Sequence, residues 1–302
     1  MELLRDLVFD YTIRNVALGS AILGVVGGAL GSFAVLRRQG LLGDALAHAT
    51  LPGVCVAFML TGTKNPAVLL LGAALSAGVG ALFVLAVVGG TRIKQDAALG
   101  IVLSVFFGAG IVLLTYIAGS GDAGQSGLDR FIFGQAATIV RADVATMGLL
   151  ALTALVLLAL FFKEFKLLSF DPAFGASLGY PVGALNVLLT ALIVVAVVVG
   201  IQAVGVVLMA AMLITPAAAA RQWTDRLSVM VCLSAVFGAA SGVGGALVSA
   251  TGSNLPTGPL IVLFATGVLA VSLVLGRRHG FLWAWIAGRR NRREALRGGD
   301  AA

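Results

Sequence analysis

The sequence predicts an all-α, polytopic membrane protein. Of its 302 residues, 60% are hydrophobic and only 11% are charged, and the mean hydropathy is +1.06. A soluble domain carries about 25% charged residues. Apolar runs close to 20 residues, the length of a membrane-crossing helix, recur along the whole chain. The 40 glycines suit this class, because small residues let membrane helices approach closely.

About nine membrane spans are predicted, at residues 16–36, 44–62, 66–88, 98–118, 144–162, 184–204, 205–220, 227–249 and 259–276. The run 191–220 is almost wholly apolar but contains Gly200, Gln202, Gly205 and Pro216. It fits two spans, or one span and a re-entrant segment, which would give eight spans in all.

The distribution of basic residues predicts the orientation in the membrane. Fifteen of the 20 lysines and arginines fall in connections on one side or after residue 276, and the excess of positive charge marks the cytoplasmic side. The N-terminus is therefore expected outside and the C-terminus inside. Residues 1–288 form one transmembrane domain and 289–302 a basic cytoplasmic tail. A tail beside anionic lipid explains the net charge of +7, so no nucleic-acid partner is expected.

Asp44 and His48 form the candidate metal site. They are four residues apart, so both side chains project from one face of a helix, and Asp44 is the only acid inside a predicted span. Carboxylate oxygen and imidazole nitrogen together suit manganese, iron or zinc. One copy supplies only two ligands, so a four-ligand site needs a second copy of the chain. The alternative is that Asp44 is a helix N-cap and His48 a satisfied interior histidine.

The internal loop 163–183 is predicted to contain a short capped helix. Asp171 can cap it with Pro172 at its first position, and Gly179 can end it. Such a helix at the cytoplasmic surface could dock another protein; an ordinary interfacial linker is the alternative.

No enzyme motif is found, and no GxxxxGK[ST] phosphate-binding loop, so any ATP hydrolysis is expected from a separate subunit. The cysteines, Cys55 and Cys232, lie within apolar segments and are expected to be buried.

Residues 31–53, GSFAVLRRQGLLGDALAHATLPG, resemble the signature of the integral-membrane permease subunits of bacterial ABC importers for zinc, manganese and iron. Five further segments resemble motifs of the same family in order: TRIKQDAALGIVLSVFFGAGIVLL (91–114), FIFGQ (131–135), SFDPAFGASLGYPV (169–182), GVVLMAAMLITPAAAAR (205–221) and LPTGP (255–259).

The resemblance implies a multi-pass permease of the bacterial cytoplasmic membrane that works as a pair. Cytoplasmic ATPase subunits would bind it, and an extracytoplasmic metal-binding protein would deliver the ion, which is cargo and not a permanent cofactor. Asp44 and His48 match the family's metal path. The ATPase-coupling helix matches 170–179, with Asp171, Pro172, Phe174, Leu178 and Gly179.

The chain departs from the family pattern at several positions. Zinc permeases often carry a histidine within the stretch that here reads IVLSVFF (101–107), which favours manganese, or iron, over zinc. Asn254 replaces a frequent aspartate, which leaves the contacts with the delivery protein less certain, and Gly175 replaces a frequent alanine. Three other functions fit a chain of this class: a siderophore- or corrinoid-type ABC permease, a proton-coupled secondary metal transporter, and a receptor or scaffold without transport.

Overall fold

Eleven helices, and no strand, make up the part of the chain that the structure describes. The structure is a computed structural model and describes residues 11–63, 65–119, 139–251, 255–276, 278, 280 and 281, without the side chains of 202–204, 206 and 207. The helices are α1 (Tyr11–Leu36), α2 (Leu42–Thr61), α3 (Pro66–Gly90), α4 (Gln95–Gly119), α5 (Arg141–Leu160), α6 (Phe162–Phe170), α7 (Pro172–Ser177), α8 (Val182–Val204), α9 (Val206–Arg221), α10 (Leu227–Ala250) and α11 (Thr257–Leu275).

Eight of these helices are long and apolar enough to cross a membrane: α1 to α5, α8, α10 and α11. Each coincides within a few residues with a predicted span, so the predicted all-α polytopic fold is confirmed. The sequence had suggested that Asp44 is the only acid within a span. Helices α4 and α5 begin before the predicted spans and include Asp96 and Asp143 in their first turns, so Asp44 is not the only acid within a span-length helix.

The ambiguous run 191–220 contains two helices. Gly205, with a φ of +84°, separates α8 from α9, a backbone conformation that glycine adopts without a Cβ penalty. Helix α9 has 16 residues and is about 24 Å long, shorter than the ~30 Å hydrocarbon core of a bilayer. The chain therefore has eight helices of spanning length and one shorter apolar helix among its described residues.

Small residues bring α1 and α10 into direct backbone contact. A Cβ added at Gly24 would overlap the carbonyl group of Gly238, and one added at Gly28 would overlap the carbonyl of Ser234. The hydroxyl oxygens of Ser32 and Ser234 are 2.8 Å apart at the same interface. These small residues recur every four positions, which places them on one face of each helix. Helix α10 packs closely against this face of α1, the central helix.

Helix α2, which carries the predicted metal residues, packs against α3, α4, α8 and α9. Its contact with α3 is again close, since a Cβ at Gly53 would overlap the carbonyl of Gly72. Leu46, Ala47 and Ala49 are fully buried in the main hydrophobic core. Most of α2 is therefore enclosed by neighbouring helices.

The two cysteines differ. Cys55 is buried, as expected, whereas Cys232 is exposed on α10, so that part of the prediction is wrong. Apolar composition placed residue 232 in a span but could not tell which face of the helix packs inward. Residues 1–10, the FIFGQ motif, Asn254 and the basic tail lie outside the described residues.

Candidate metal site and coupling surface

The start of α2 determines how Asp44 is presented. The N-cap is Leu41, whose side chain makes no capping bond, and Asp44 is the third residue of the helix. The amide of Ala45 donates to the carbonyl of Leu41 at 2.9 Å, so the first turn is closed by the backbone. Asp44 is therefore not the N-cap, and the alternative prediction that this residue caps the helix is wrong. Its carboxylate remains available to a ligand.

Asp44 and His48 lie together on α2. Oδ1 of Asp44 is 3.5 Å from Nε2 of His48, and their side chains are 40% and 25% exposed in the single chain. The residues between them, Ala45, Leu46 and Ala47, are buried. Within residues 42–52, Asp44 and His48 are the two residues of α2 that are not buried, whereas Val56, Met59 and Leu60 near the end of the helix are exposed. Among the described residues, no group of three or more histidine, cysteine, aspartate or glutamate side chains could hold a metal ion.

Phe107 of α4 borders this pair. Its ring meets the His48 imidazole edge to face, with centroids 4.7 Å apart and an interplanar angle of 73°. This contact limits the directions in which the imidazole can turn. Phe107 lies in the 101–107 stretch, where the family resemblance had drawn attention to a missing histidine, but nothing in the sequence indicated contact with His48.

Helix α9 also packs against α2, at Gly43. A Cβ at residue 43 would come within 2.8 Å of the Leu213 side chain. The absence of a side chain at residue 43, which precedes Asp44, lets α9 approach this end of α2. The metal pair therefore contacts α4 through His48, and α9 contacts α2 at the residue before Asp44.

The loop 163–183 contains the predicted capped helix. Oδ1 of Asp171 accepts a 2.9 Å hydrogen bond from the amide of Phe174, and Pro172 occupies the first turn of α7. Gly179 has a φ of +83°, and the amide of Tyr180 donates to the carbonyl of Gly175 at 3.1 Å to close the helix end. The predicted local structure is confirmed, and it is preceded by a second helix, α6, that the sequence analysis did not identify.

Helix α7 presents apolar side chains on its open side. Phe174 is 53% exposed and Leu178 is 56% exposed. Exposed apolar side chains on a short, capped helix are typical of a surface that docks another protein. The role of the predicted coupling residues in binding an ATPase stays a prediction.

The coupling region is joined to the end of α1. The ring of Phe33 meets those of Phe162 and Phe165 on α6 edge to face, each with centroids 6.1 Å apart. Nη2 of Arg37 donates a 2.6 Å hydrogen bond to Oδ1 of Asn186 on α8. Burial lowers the pKa of Arg37. Sequence reasoning recorded Arg37 only as a cytoplasmic charge and missed Asn186, because nothing in the local pattern links residues so far apart.

Comparison with known proteins agrees with this architecture. The chain is 53% identical to the zinc transport system membrane protein TroC of Treponema pallidum over 94% of this chain and 95% of that protein. It is 51% identical to the manganese transport system membrane protein MntC of Bacillus subtilis, over 88% of this chain and 61% of that longer protein. Among solved structures, PsaBC from Streptococcus pneumoniae in complex with Fab superposes with a TM-score of 0.79 at 32% identity, covering 93% of this chain and 98% of that one.

The ABC 3 transport family matches residues 9–276, which is most of the chain. These matches confirm the resemblance to the permease subunits of metal ABC importers. They also confirm the expectation of a membrane permease and not an ATP-hydrolysing enzyme, since the relatives are named as membrane proteins of transport systems. The chain is a multi-pass membrane permease and belongs to the ABC 3 transport family.

Proposed function

We propose that this permease imports a divalent transition-metal ion, with manganese favoured and then iron or zinc, by alternating access driven by partner ATPases. Asp44 and His48 of two copies line the path. The observation that carries this proposal is their position: an adjacent, partly exposed carboxylate and imidazole in the first half of α2, where the residues around them are buried. Ionisable groups within a membrane-spanning helix usually mark an ion or substrate path.

A second copy of the chain completes the site. Within one copy the described residues offer two ligands and no third, whereas a transition-metal ion takes four or more. Two-fold pairing about an axis near α2 would bring two carboxylates and two imidazoles to one channel. Water can fill remaining positions, which keeps binding weak enough for release.

The donor set favours manganese. Phe107, which offers no ligand atom, lies against His48 where a second imidazole would strengthen a zinc site. The names of the relatives do not decide the question, because one is named for zinc and another for manganese. A site of one carboxylate and one imidazole per copy is harder in character than the histidine-rich sites that zinc prefers.

The conformational change driven by the ATPases would reach the metal site from the cytoplasmic side. Cytoplasmic ATPase subunits dock on α7, where Asp171 and Pro172 hold the helix start and Phe174 and Leu178 are exposed. Gly179 ends the helix and leads the chain directly into α8. An extracytoplasmic metal-binding protein delivers the ion from the opposite face of the bacterial inner membrane. The N-terminus lies outside and the C-terminus in the cytoplasm, with lipid around the bundle.

Metal uptake by cells that express the complete transport system tests the path. Asp44→Asn and His48→Gln remove a ligand with little change in volume and are expected to lower initial manganese uptake at least tenfold. Asp96→Asn is the matched control, because Asp96 is an exposed aspartate in the first turn of α4 and is expected to leave uptake unchanged. Unchanged uptake in both site variants would overturn the proposed path.

Cross-linking tests the pairing separately. In a Cys55→Ala, Cys232→Ala background, Asp44→Cys is expected to give dimers with a short bis-maleimide. Val236→Cys, which is 61% exposed on α10, is the control and is expected to give far fewer. Equal yields from the two positions would exclude a shared path at Asp44.

A further inference from the structure

An apolar groove runs between α10 and α11, on a different part of the bundle from the metal pair. Its volume is about 580 Å³, within the ~300–1,000 Å³ range of small-molecule sites. Phe237, Leu260 and Phe264 are among its lining residues. Helix α11 packs on α9 and α10, whereas α4, beside the metal pair, packs on α2 and α3.

One end of the groove carries a cluster of positive charge. Trp223 lines this end, and the neighbouring Gln222 accepts a 3.1 Å hydrogen bond at its carbonyl from the amide of Arg278. Asp225 lies 3.5 Å from Nη1 of Arg221 and 3.6 Å from Nε of Arg278. Arg226 follows directly and is exposed. Two arginines at the Asp225 carboxylate and the adjacent Arg226 leave two positive charges in excess in this segment at the mouth of an apolar groove.

We propose that this groove binds one acyl chain of an anionic phospholipid, whose phosphate lies at Arg221, Arg226 and Arg278. From Ser272 at the basic end to Leu260, the groove follows about 18 Å of α11 (12 residues at ~1.5 Å each). One leaflet of a bilayer has a hydrocarbon thickness of about 15 Å. The groove therefore accommodates one acyl chain of the leaflet whose headgroups meet the arginines.

The charge favours an anionic lipid over a second copy of the chain. Copies that share one membrane orientation are related by an axis along the membrane normal, so pairing at this groove would place both arginine clusters at the same depth and close together. Like charges repel at that distance, whereas a phosphate is attracted and accepts hydrogen bonds from guanidinium groups.

The fluorescence of Trp223 reports directly on lipid bound in the groove. Its ring lines the basic end of the groove, so bromine on a bound acyl chain would quench its fluorescence. The full chain carries three tryptophans, and Trp283→Phe with Trp285→Phe leaves Trp223 as the only emitter. Purified protein in nanodiscs with dibrominated phosphatidylglycerol is expected to be quenched at least twofold more than in nanodiscs with dibrominated phosphatidylcholine at the same mole fraction.

Gly267 allows the groove to be filled without disturbing the fold. It lines the groove within α11, and a Cβ added there meets no atom within 4 Å. Gly267→Leu is expected to remove at least half of the quenching by the phosphatidylglycerol. Gly78→Leu on α3 is the matched control, because a Cβ at Gly78 also meets nothing within 4 Å, and it is expected to leave quenching unchanged.

The double variant Arg226→Gln, Arg278→Gln tests the headgroup part of the proposal. It is expected to abolish the preference for phosphatidylglycerol while quenching by phosphatidylcholine stays the same. Equal quenching by both lipids in the wild-type protein, or no effect of Gly267→Leu, would overturn the proposal. Loss of quenching by either lipid on dimer formation would instead assign the groove to a second copy.

Discussion

The guanidinium of Arg37 donates a 2.6 Å hydrogen bond to the side-chain amide of Asn186, which joins two parts of the chain that the proposed transport cycle must connect. Arg37 follows the end of α1 and precedes Asp44 by seven residues. Asn186 lies in the first turns of α8, directly after the coupling helix α7. The bond therefore ties the segment that leads to the metal pair to the segment that leads from the docking surface.

Arg37→Gln is expected to lower the free energy of unfolding by about 1–3 kcal/mol, because it removes a hydrogen bond to a charged group from a half-buried position. Arg38→Gln is the control, since Arg38 is adjacent but exposed. Thermal unfolding in detergent measures both. In a double-mutant cycle with Asn186→Ala, a coupling energy near zero would show that the bond contributes nothing.

Phe107→His is expected to shift the transported metal towards zinc. A second imidazole beside His48 adds the ligand type that zinc prefers. The ratio of initial zinc to manganese uptake should rise at least fivefold. Val105→His, on the same helix but 60% exposed, is the control and should leave the ratio unchanged. An unchanged ratio in Phe107→His would show that residue 107 does not reach the bound ion.

Gly24→Leu is expected to prevent accumulation of folded protein. The added side chain would overlap the backbone of Gly238, and α1 and α10 cannot separate without losing their shared core. Gly100→Leu, where a Cβ meets no atom within 4 Å, is the control. Size-exclusion chromatography of the detergent-solubilised protein measures the folded yield. A monodisperse Gly24→Leu protein at normal yield would contradict the close helix contact.

Asp171→Ala is expected to reduce metal-stimulated ATP hydrolysis by the assembled transporter. The substitution removes the cap on the amide of Phe174, which costs about 1 kcal/mol and loosens the exposed docking helix. Asp171→Asn retains a capping oxygen and should retain most of the activity. Assay of the reconstituted complex compares the two variants. Equal activity in the wild-type protein and both variants would show that the helix cap does not affect coupling to ATP hydrolysis.

The sequence predicted the spans because a membrane helix must satisfy its backbone internally, so length and apolarity alone locate it. It predicted α7 because Asp171, Pro172 and Gly179 act through local geometry. It did not reveal that Cys232 is exposed, that Phe107 meets His48 or that Arg37 meets Asn186. Each of these depends on how one helix is rotated against another, and in mostly apolar helices such as α3, α4 and α8 the few polar residues give little rotational signal.

The break at Gly205 has a consequence for how the protein is made. Helices α8 and α9 are separated by this one residue, and the side chain of Met209 packs back against Gly200. No hydrophilic turn is available to hold the first of the two in place while the second emerges from the ribosome. We expect the pair to leave the translocon as a single hairpin, with residues 182 and 221 on the same side from the outset.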